Sequence, residues 1–249
     1  MKTISKKKIL IWSASVLLML AILIGGCGIY VSDYYRADYA SILTYPVPDM
    51  VPRIELEDGI VAYGRLGAEN GFIFYPGGKV ECKAYEPLML ELASRGILCV
   101  LVEMPFNLAV LDINAADGIA ELYPKVENWY IGGHSLGGSM AASYAEKNSD
   151  SLRGLVLLAA YSTADISTAE LRTISVYGSE DGVMNREKYD KYKGNLPASL
   201  CEIVIDGGCH AYFGMYGEQK GDGTPSICPE EQIRVSADHI ADFILEGEK

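Results

Sequence analysis

The sequence is poor in histidines and in closely spaced cysteines, the residues from which zinc sites are usually built. It has only three histidines, and none of its six cysteines stands at C-x-x-C spacing from another. Because zinc sites need clusters of such ligands at short spacing, the sequence predicts no metal and disfavours a metal-dependent hydrolase. Internal repeats and low-complexity tracts are also lacking.

Basic residues are scarce beyond the first few positions. The chain has 21 basic and 33 acidic residues, a net charge of −12. Four of the basic residues are lysines within the first eight positions, and no other charge precedes Ser32, so 17 basic and 33 acidic residues leave −16 on the remainder. This balance argues against nucleic acid as a partner and against electrostatic docking on anionic lipid.

The opening segment contains an uncharged run from Ile9 to Val31, long enough to cross a bilayer as a helix. Lysines precede it, so the positive-inside rule leaves the rest of the chain outside the cytoplasm. We predict residues 1–31 as a single-pass cell-membrane anchor with an extracytoplasmic domain. Two alternatives stay open: a lipoprotein signal with Cys27 lipidated, in Ile24-Gly25-Gly26-Cys27, and a cleaved signal peptide.

The next stretch, residues 32–52, is polar and punctuated by prolines, which predicts a tether. Residues 53–249 are predicted to form one domain that opens with a hairpin around Asp58-Gly59. Buried strands then alternate with helices, which predicts an α/β fold with a mostly parallel sheet covered on both faces. The strands are expected at 72–75, 97–102, 129–131, 152–159, 173–177 and 200–205, and the helices at 85–94, 114–123, 139–147, 186–192 and from Pro229 onwards.

A G-x-S-x-G pattern, Gly133-His134-Ser135-Leu136-Gly137, lies between a predicted strand and a predicted helix. A serine on such a tight turn projects its hydroxyl above the sheet, and glycines around it avoid clashes between strand and helix. The helix start also points backbone N–H groups to where negative charge would develop. We therefore predict Ser135 as a catalytic nucleophile.

A serine hydroxyl is a weak nucleophile and needs an adjacent base. His210 follows the last predicted strand in a glycine-rich loop, where active groups of parallel sheets gather. His134 adjoins Ser135 on a turn that directs its side chain elsewhere, and His239 lies in the last helix. His210 is therefore the predicted base.

The acid that orients the base should follow a strand between Ser135 and His210. Asp181 meets this condition, with Glu180 as the alternative. Asp206 is also near His210, but it stands at a strand end, where it is expected to cap the loop. The resulting order of serine, aspartate and histidine is that of α/β-hydrolases.

An oxyanion intermediate requires two N–H donors. The amide of Leu136 is predicted as one, and Gly78, in the loop Gly77-Gly78-Lys79 after an earlier strand, as the other. Residues 160–172 are too few for a lid domain, so the site should be open to solvent. Its walls are expected from residues 103–108 and 212–223, whose apolar side chains would favour an apolar acyl or alcohol group.

Residues 54–245 resemble the α/β-hydrolase superfamily. The segments 74–80, 133–138 and 207–214 look like the bacterial, membrane-anchored branch called alpha/beta hydrolase fold-5. The resemblance implies the same triad and a hydrolase, but no particular substrate. Cys209 stands where a polar residue would be expected before the histidine. A disulfide between Cys209 and Cys228, which flank one long loop, is the first pair to expect.

These residues together predict a serine hydrolase, a carboxylesterase that cleaves small or medium acyl esters through an acyl-enzyme and without a cofactor. The same triad would also serve an acyltransferase, thioesterase or peptidase, because one fold supports many chemistries. A non-catalytic, envelope-anchored binding module is the alternative from a different class. The oligomeric state is left open.

Overall fold

The computed structural model describes residues 6–47, 51–56 and 59–246. The chain divides into two units, Met1–Tyr34 and Tyr35–Lys249. The described part of the first unit contains helix α1 (Lys6–Ser32), in which Ser15–Ser32 is long and apolar enough to cross a membrane. A signal sequence near the N-terminus can also be this long and apolar, so the helix is compatible with each of the three predicted roles.

The second unit is built on an eight-stranded sheet in the order β1-β2-β4-β3-β5-β6-β7-β8. The β1–β2 and β2–β4 pairs are antiparallel and all later pairs are parallel, which confirms the predicted α/β fold. The strands are β1 (Arg53–Glu55), β2 (Ile60–Tyr63), β3 (Asn70–Tyr75), β4 (Leu98–Val102), β5 (Asn128–His134), β6 (Gly154–Leu158), β7 (Arg172–Gly178) and β8 (Cys201–Ile205).

Helices cover both faces of this sheet, so the central strands β3, β4 and β6 are buried along their whole length and read as continuous apolar runs. One face carries Leu88 and Leu92 against Ile233 and Ile240, and the other carries Ala141 of the helix after β5. The helices of this unit are α2 (Tyr39–Leu43), α3 (Glu86–Ser94), α4 (Ile119–Leu122), α5 (Leu136–Asn148), α6 (Arg186–Tyr192) and α7 (Pro229–Leu245).

The register of the parallel strands brings their carboxyl ends together. Tyr75 pairs with Gly133, and His134 pairs with Leu158. Gly178 pairs with Ile205 at the other side of the sheet. The loops after β3, β4, β5, β6, β7 and β8 therefore leave from one edge, which we call the carboxyl edge.

The segment between the anchor and the domain is shorter than the predicted tether. Tyr35 pairs with Val80, and Ala37 and Tyr45 are buried. The Tyr45 hydroxyl donates to Glu91 Oε1 over 2.9 Å, so residues 35–47 pack on the domain. Asp58 of the predicted hairpin turn lies outside the described residues, while its flanking strands β1 and β2 pair as expected.

The helix predicted over 114–123 is wrong in its first half, since α4 covers only Ile119–Leu122. The Tyr75 hydroxyl accepts the N–H of Ala116 and donates to the carbonyl of Ile113, both over 2.9 Å. These bonds hold the segment in a turn, and Gly118 at φ +78° follows it in the left-handed region.

The predicted disulfide is also absent, because all six cysteines, which lie within the described residues, are free thiols. Cys209 is buried in the loop before His210, whereas Cys228 is exposed at the N-cap of α7. Burial, together with the nearby Asp222 carboxylate, raises the pKa of the Cys209 thiol to about 12. A thiol of this kind is protonated at neutral pH and is a poor nucleophile.

Candidate active site

Ser135 occupies a sharp turn between β5 and α5, with φ +50° and ψ −119°. A non-glycine residue in this region is strained, and such strain persists only where the surroundings fix it. Here the N–H of Ser135 donates to Leu158 O over 2.9 Å. A Cβ atom on Gly133 would lie 2.4 Å from Tyr75 O, and one on Gly137 2.2 Å from Pro76 O, so both neighbours of the turn must be glycine.

His210 and Asp181 form a buried pair at the same edge. His210 Nδ1 lies 2.9 Å from Asp181 Oδ2, and both side chains are 1% exposed. The other carboxylate oxygen accepts the N–H groups of Val183 and Met184 over 2.9 and 2.8 Å. Because the carboxylate accepts from Nδ1, the neutral imidazole keeps its proton there and leaves Nε2 as the basic atom.

The predicted alternatives to these two residues lie elsewhere. The Glu180 side chain accepts from its neighbour Ser179, and Asp206 is exposed. Of the other histidines, His239 is half-buried on α7. His134 is buried, and its ring centroid lies 4.5 Å from that of His210, which brings the predicted base against the residue that precedes Ser135.

The Tyr85 hydroxyl connects His134 to the loop after β3. It accepts the N–H of Gly77 over 3.1 Å and lies 2.8 Å from His134 Nδ1. The hydroxyl and Nδ1 of His134 therefore share a hydrogen bond whose donor is set by the tautomer of His134. The Gly77 N–H is thereby occupied, whereas the Gly78 N–H has no hydrogen-bond partner in the described part of the chain.

Gly78 and Leu136 lie against each other, since a Cβ atom on Gly78 would come within 2.8 Å of Leu136 Cδ2. The two predicted oxyanion donors are thus neighbours, one in the loop after β3 and the other at the start of α5. The space above Gly78 must stay free of a side chain for these segments to approach.

A cavity of about 240 Å³ opens at Ser135. Neither predicted wall, residues 103–108 or 212–223, lines it, and Met104 is buried in the core. The predicted walls were wrong because the loops after β6 and β7 reach the serine instead. The lining residues are Ser135, Leu136, Ser139, Ala159, Ala160, Tyr161, Val183, Met184 and Asn185.

Comparison with known proteins decides the family. The model of the alpha/beta hydrolase family matches residues 71–234, about two thirds of the chain. The chain belongs to the alpha/beta hydrolase family. A search of curated proteins gave no match. Among solved structures, the chain is similar to a "predicted CIB-like hydrolase" from Thermoplasma acidophilum, with 15% identity and a TM-score of 0.53 over 78% of this chain and 98% of that chain. That likeness shows the fold alone.

Asp222 is a residue of this hydrolase that the sequence analysis missed. Its Oδ1 accepts the N–H groups of Gly182 and His210, each over 3.1 Å, and that of Gly223 over 2.9 Å. Its Oδ2 accepts the N–H of Ala211 over 2.8 Å. Burial favours a raised pKa for Asp222, but these backbone donors outweigh it and hold the pKa below its usual value.

Asp222 therefore fixes the loops that carry both Asp181 and His210. We expect Asp222→Ala to lower kcat about 10- to 100-fold with little change in KM, because small displacements of the predicted groups Asp181 and His210 would be costly. Asp222→Asn keeps one acceptor oxygen and should lose less. Steady-state kinetics of both variants, with the exposed Asp206→Ala as control, measure this. An unchanged kcat in Asp222→Ala would contradict it.

His134 gives the hydrolase a pH-dependent stability. Burial, and then the nearby His210, lower the pKa of His134 well below 6.5, so below about pH 6.5 the unfolded chain binds a proton that the folded chain does not. The free energy of unfolding should therefore fall on acidification, by up to about 1.4 kcal/mol per pH unit from this residue. Urea unfolding between about pH 5 and 7 measures the slope. It should be shallower in His134→Gln, and equal slopes would count against the assignment.

Proposed function

We propose that this hydrolase is a serine carboxylesterase that acts on small or medium acyl esters outside the cytoplasm. The observation that carries the proposal is the buried hydrogen bond between His210 and Asp181, at the edge where Ser135 occupies its strained turn. A buried carboxylate, a histidine and a serine on such a turn are the three groups that nucleophilic acyl transfer requires. No cofactor enters the reaction.

In the first step Ser135 Oγ attacks the ester carbonyl carbon while His210 Nε2 takes the hydroxyl proton. The carbonyl oxygen becomes an oxyanion that accepts from the N–H groups of Gly78 and Leu136. The C–O bond to the alcohol then breaks, and His210 gives its proton to the departing oxygen. Asp181 stabilises the imidazolium and keeps its orientation.

In the second step a water molecule attacks the acyl-enzyme at the same carbon. His210 takes a proton from the water, and the second oxyanion collapses by breaking the bond to Ser135 Oγ. The proton on His210 returns to that oxygen, which regenerates the free serine. The products are one alcohol and one carboxylic acid, so atoms and protons balance.

The apolar character of the cavity favours an uncharged acyl group. Leu136, Val183 and Met184 line it beside Ser135, and none of its lining residues is charged. Its volume of about 240 Å³ is below the usual size of a small-molecule site, so it admits the ester and a short stretch of chain.

Two assays on one preparation test the proposal: turnover of p-nitrophenyl esters of increasing chain length, and labelling by a fluorophosphonate followed by mapping of the modified peptide. We expect turnover of short esters and a label on Ser135. Labelling without ester turnover would shift the activity to a thioesterase, peptidase or acyltransferase. Neither labelling nor turnover by the folded protein would favour a binding module.

A further inference from the structure

The chain enters the folded domain at the carboxyl edge of the sheet. Tyr35 is the first residue of the domain, and it lies along the loop that carries Gly78. The N–H of Tyr35 donates to Lys79 O over 2.8 Å, and its carbonyl accepts the N–H of Glu81 over 2.9 Å. The residue that begins the domain is thus bonded to the residue after the proposed oxyanion donor.

The Tyr35 side chain reaches the other catalytic loop. Its hydroxyl accepts the N–H of Lys220 over 3.2 Å, and its ring lies 5.7 Å from that of Tyr216. Both partners belong to the segment between His210 and Asp222. Tyr35 is therefore held on the loop after β3 and on the loop after β8 together.

The membrane segment is separated from this point by very little chain. The helix ends at Ser32, and the three residues from there to Tyr35 span at most about 11 Å when fully extended. If the chain is instead lipidated at Cys27, the eight residues to Tyr35 span at most about 29 Å. In either case covalent geometry alone limits how far Tyr35 can lie from the point where the chain is anchored.

The same edge has an exposed apolar rim, which we define as Phe106, Val110 and Leu111. Their exposures are 64%, 50% and 56%. Residues 106–111 are hydrogen-bonded to the loop after β3 that carries Gly78, because Lys79 of that loop donates its N–H to Asn107 O over 2.7 Å. Isolated exposed apolar side chains are common, but three within six residues beside a catalytic loop favour contact with an apolar surface.

From these observations we infer that the natural substrate is an ester of a membrane lipid in the leaflet that the apolar rim touches. The long chains of the lipid stay in the bilayer, and only an ester of a small or medium acyl group enters the cavity at Ser135. The net charge of −16 beyond the anchor argues against electrostatic attraction to anionic lipid as the cause, which favours an apolar contact. This inference rests on the proposed esterase function and on membrane anchoring.

The test uses the full chain reconstituted in phosphatidylcholine vesicles that contain a fluorogenic diacyl lipid ester, with p-nitrophenyl butyrate as the soluble ester. A spacer of four EAAAK repeats between Ser32 and Asp33 adds up to about 30 Å. It should lower lipid turnover about tenfold and leave butyrate turnover unchanged, because the effective concentration of the lipid at the site falls. The same spacer placed before Lys6 is the control and should change neither.

A second variant tests the rim itself. Val110→Ser combined with Leu111→Ser should lower lipid turnover several-fold with butyrate turnover unchanged. Val204→Ser, which replaces an equally exposed side chain on β8, is its control. Serine-dependent butyrate turnover without lipid turnover, or lipid turnover that neither the spacer nor the rim change affects, would overturn this inference alone. If neither ester is cleaved in a Ser135-dependent way, the esterase proposal fails and the inference fails with it.

Discussion

Replacement of Ser135 by alanine should lower kcat for p-nitrophenyl ester hydrolysis by at least about 10⁴-fold. The variant loses the only atom that bonds to the acyl group in the proposed mechanism. The N–H groups of Gly78 and Leu136 remain, so a small turnover above that in water should persist. Alanine tolerates φ +50° about as poorly as serine does, so the strain of the turn is retained and the fold should survive.

Ser143→Ala is the matched control for this change. Ser143 lies two turns further along the same helix, is half-buried, and donates to Ser139 O over 3.1 Å. It should keep near wild-type kcat. Thermal unfolding of both variants shows whether the loss is catalytic. If Ser135→Ala, folded and pure, kept the wild-type rate, the assignment of the nucleophile would fail.

Asp181→Asn should lower kcat about 10³- to 10⁴-fold, chiefly through the tautomer of His210. The asparagine oxygen can still accept from Val183 and Met184, which places its NH₂ group toward His210 Nδ1. Nδ1 must then accept, and the ring proton moves to Nε2. A histidine protonated at Nε2 cannot take the proton of Ser135.

The measurement is steady-state kinetics at saturating ester, compared with Glu180→Gln as the control. Glu180 is exposed and does not bond His210, so this variant should stay within about twofold of wild type. Should Glu180→Gln cause the larger loss, the acid would be Glu180 and the pair in the structure would have another purpose.

The sequence contained enough information to predict which loops lie at the carboxyl edge. Strands buried on both faces can be recognised in the sequence as short apolar runs. In a parallel sheet the carboxyl ends of those strands lie on one side. Ser135, Asp181 and His210 each follow such a run, so their common location could be predicted without knowing any distance. The family match confirms the fold, and the roles of the three residues stay proposals.

Contacts between residues that lie far apart in the sequence could not be predicted in this way. The Asp222 carboxylate accepts N–H groups of two loops. In the sequence it is an acid between two glycines, which does not differ from a solvent-exposed loop residue. Tyr85, the N-cap residue of α3, likewise contacts Gly77 and His134 only because α3 packs against the sheet. Residues 35–47 looked like a tether because their partners, such as Glu91, lie more than forty positions away.

The Gln232 side chain of α7 forms hydrogen bonds with both backbone polar groups of Cys209, the residue before His210. Its Oε1 accepts the N–H of Cys209 over 2.9 Å, and its Nε2 donates to Cys209 O over 2.7 Å. The loop of the proposed base therefore reaches its final geometry only once residues 229–245 have been synthesised and have packed. During its synthesis the chain would emerge from the ribosome with its nucleophile already made and its base not yet in place. We therefore expect the three proposed catalytic groups to come together only after α7 has packed on this loop.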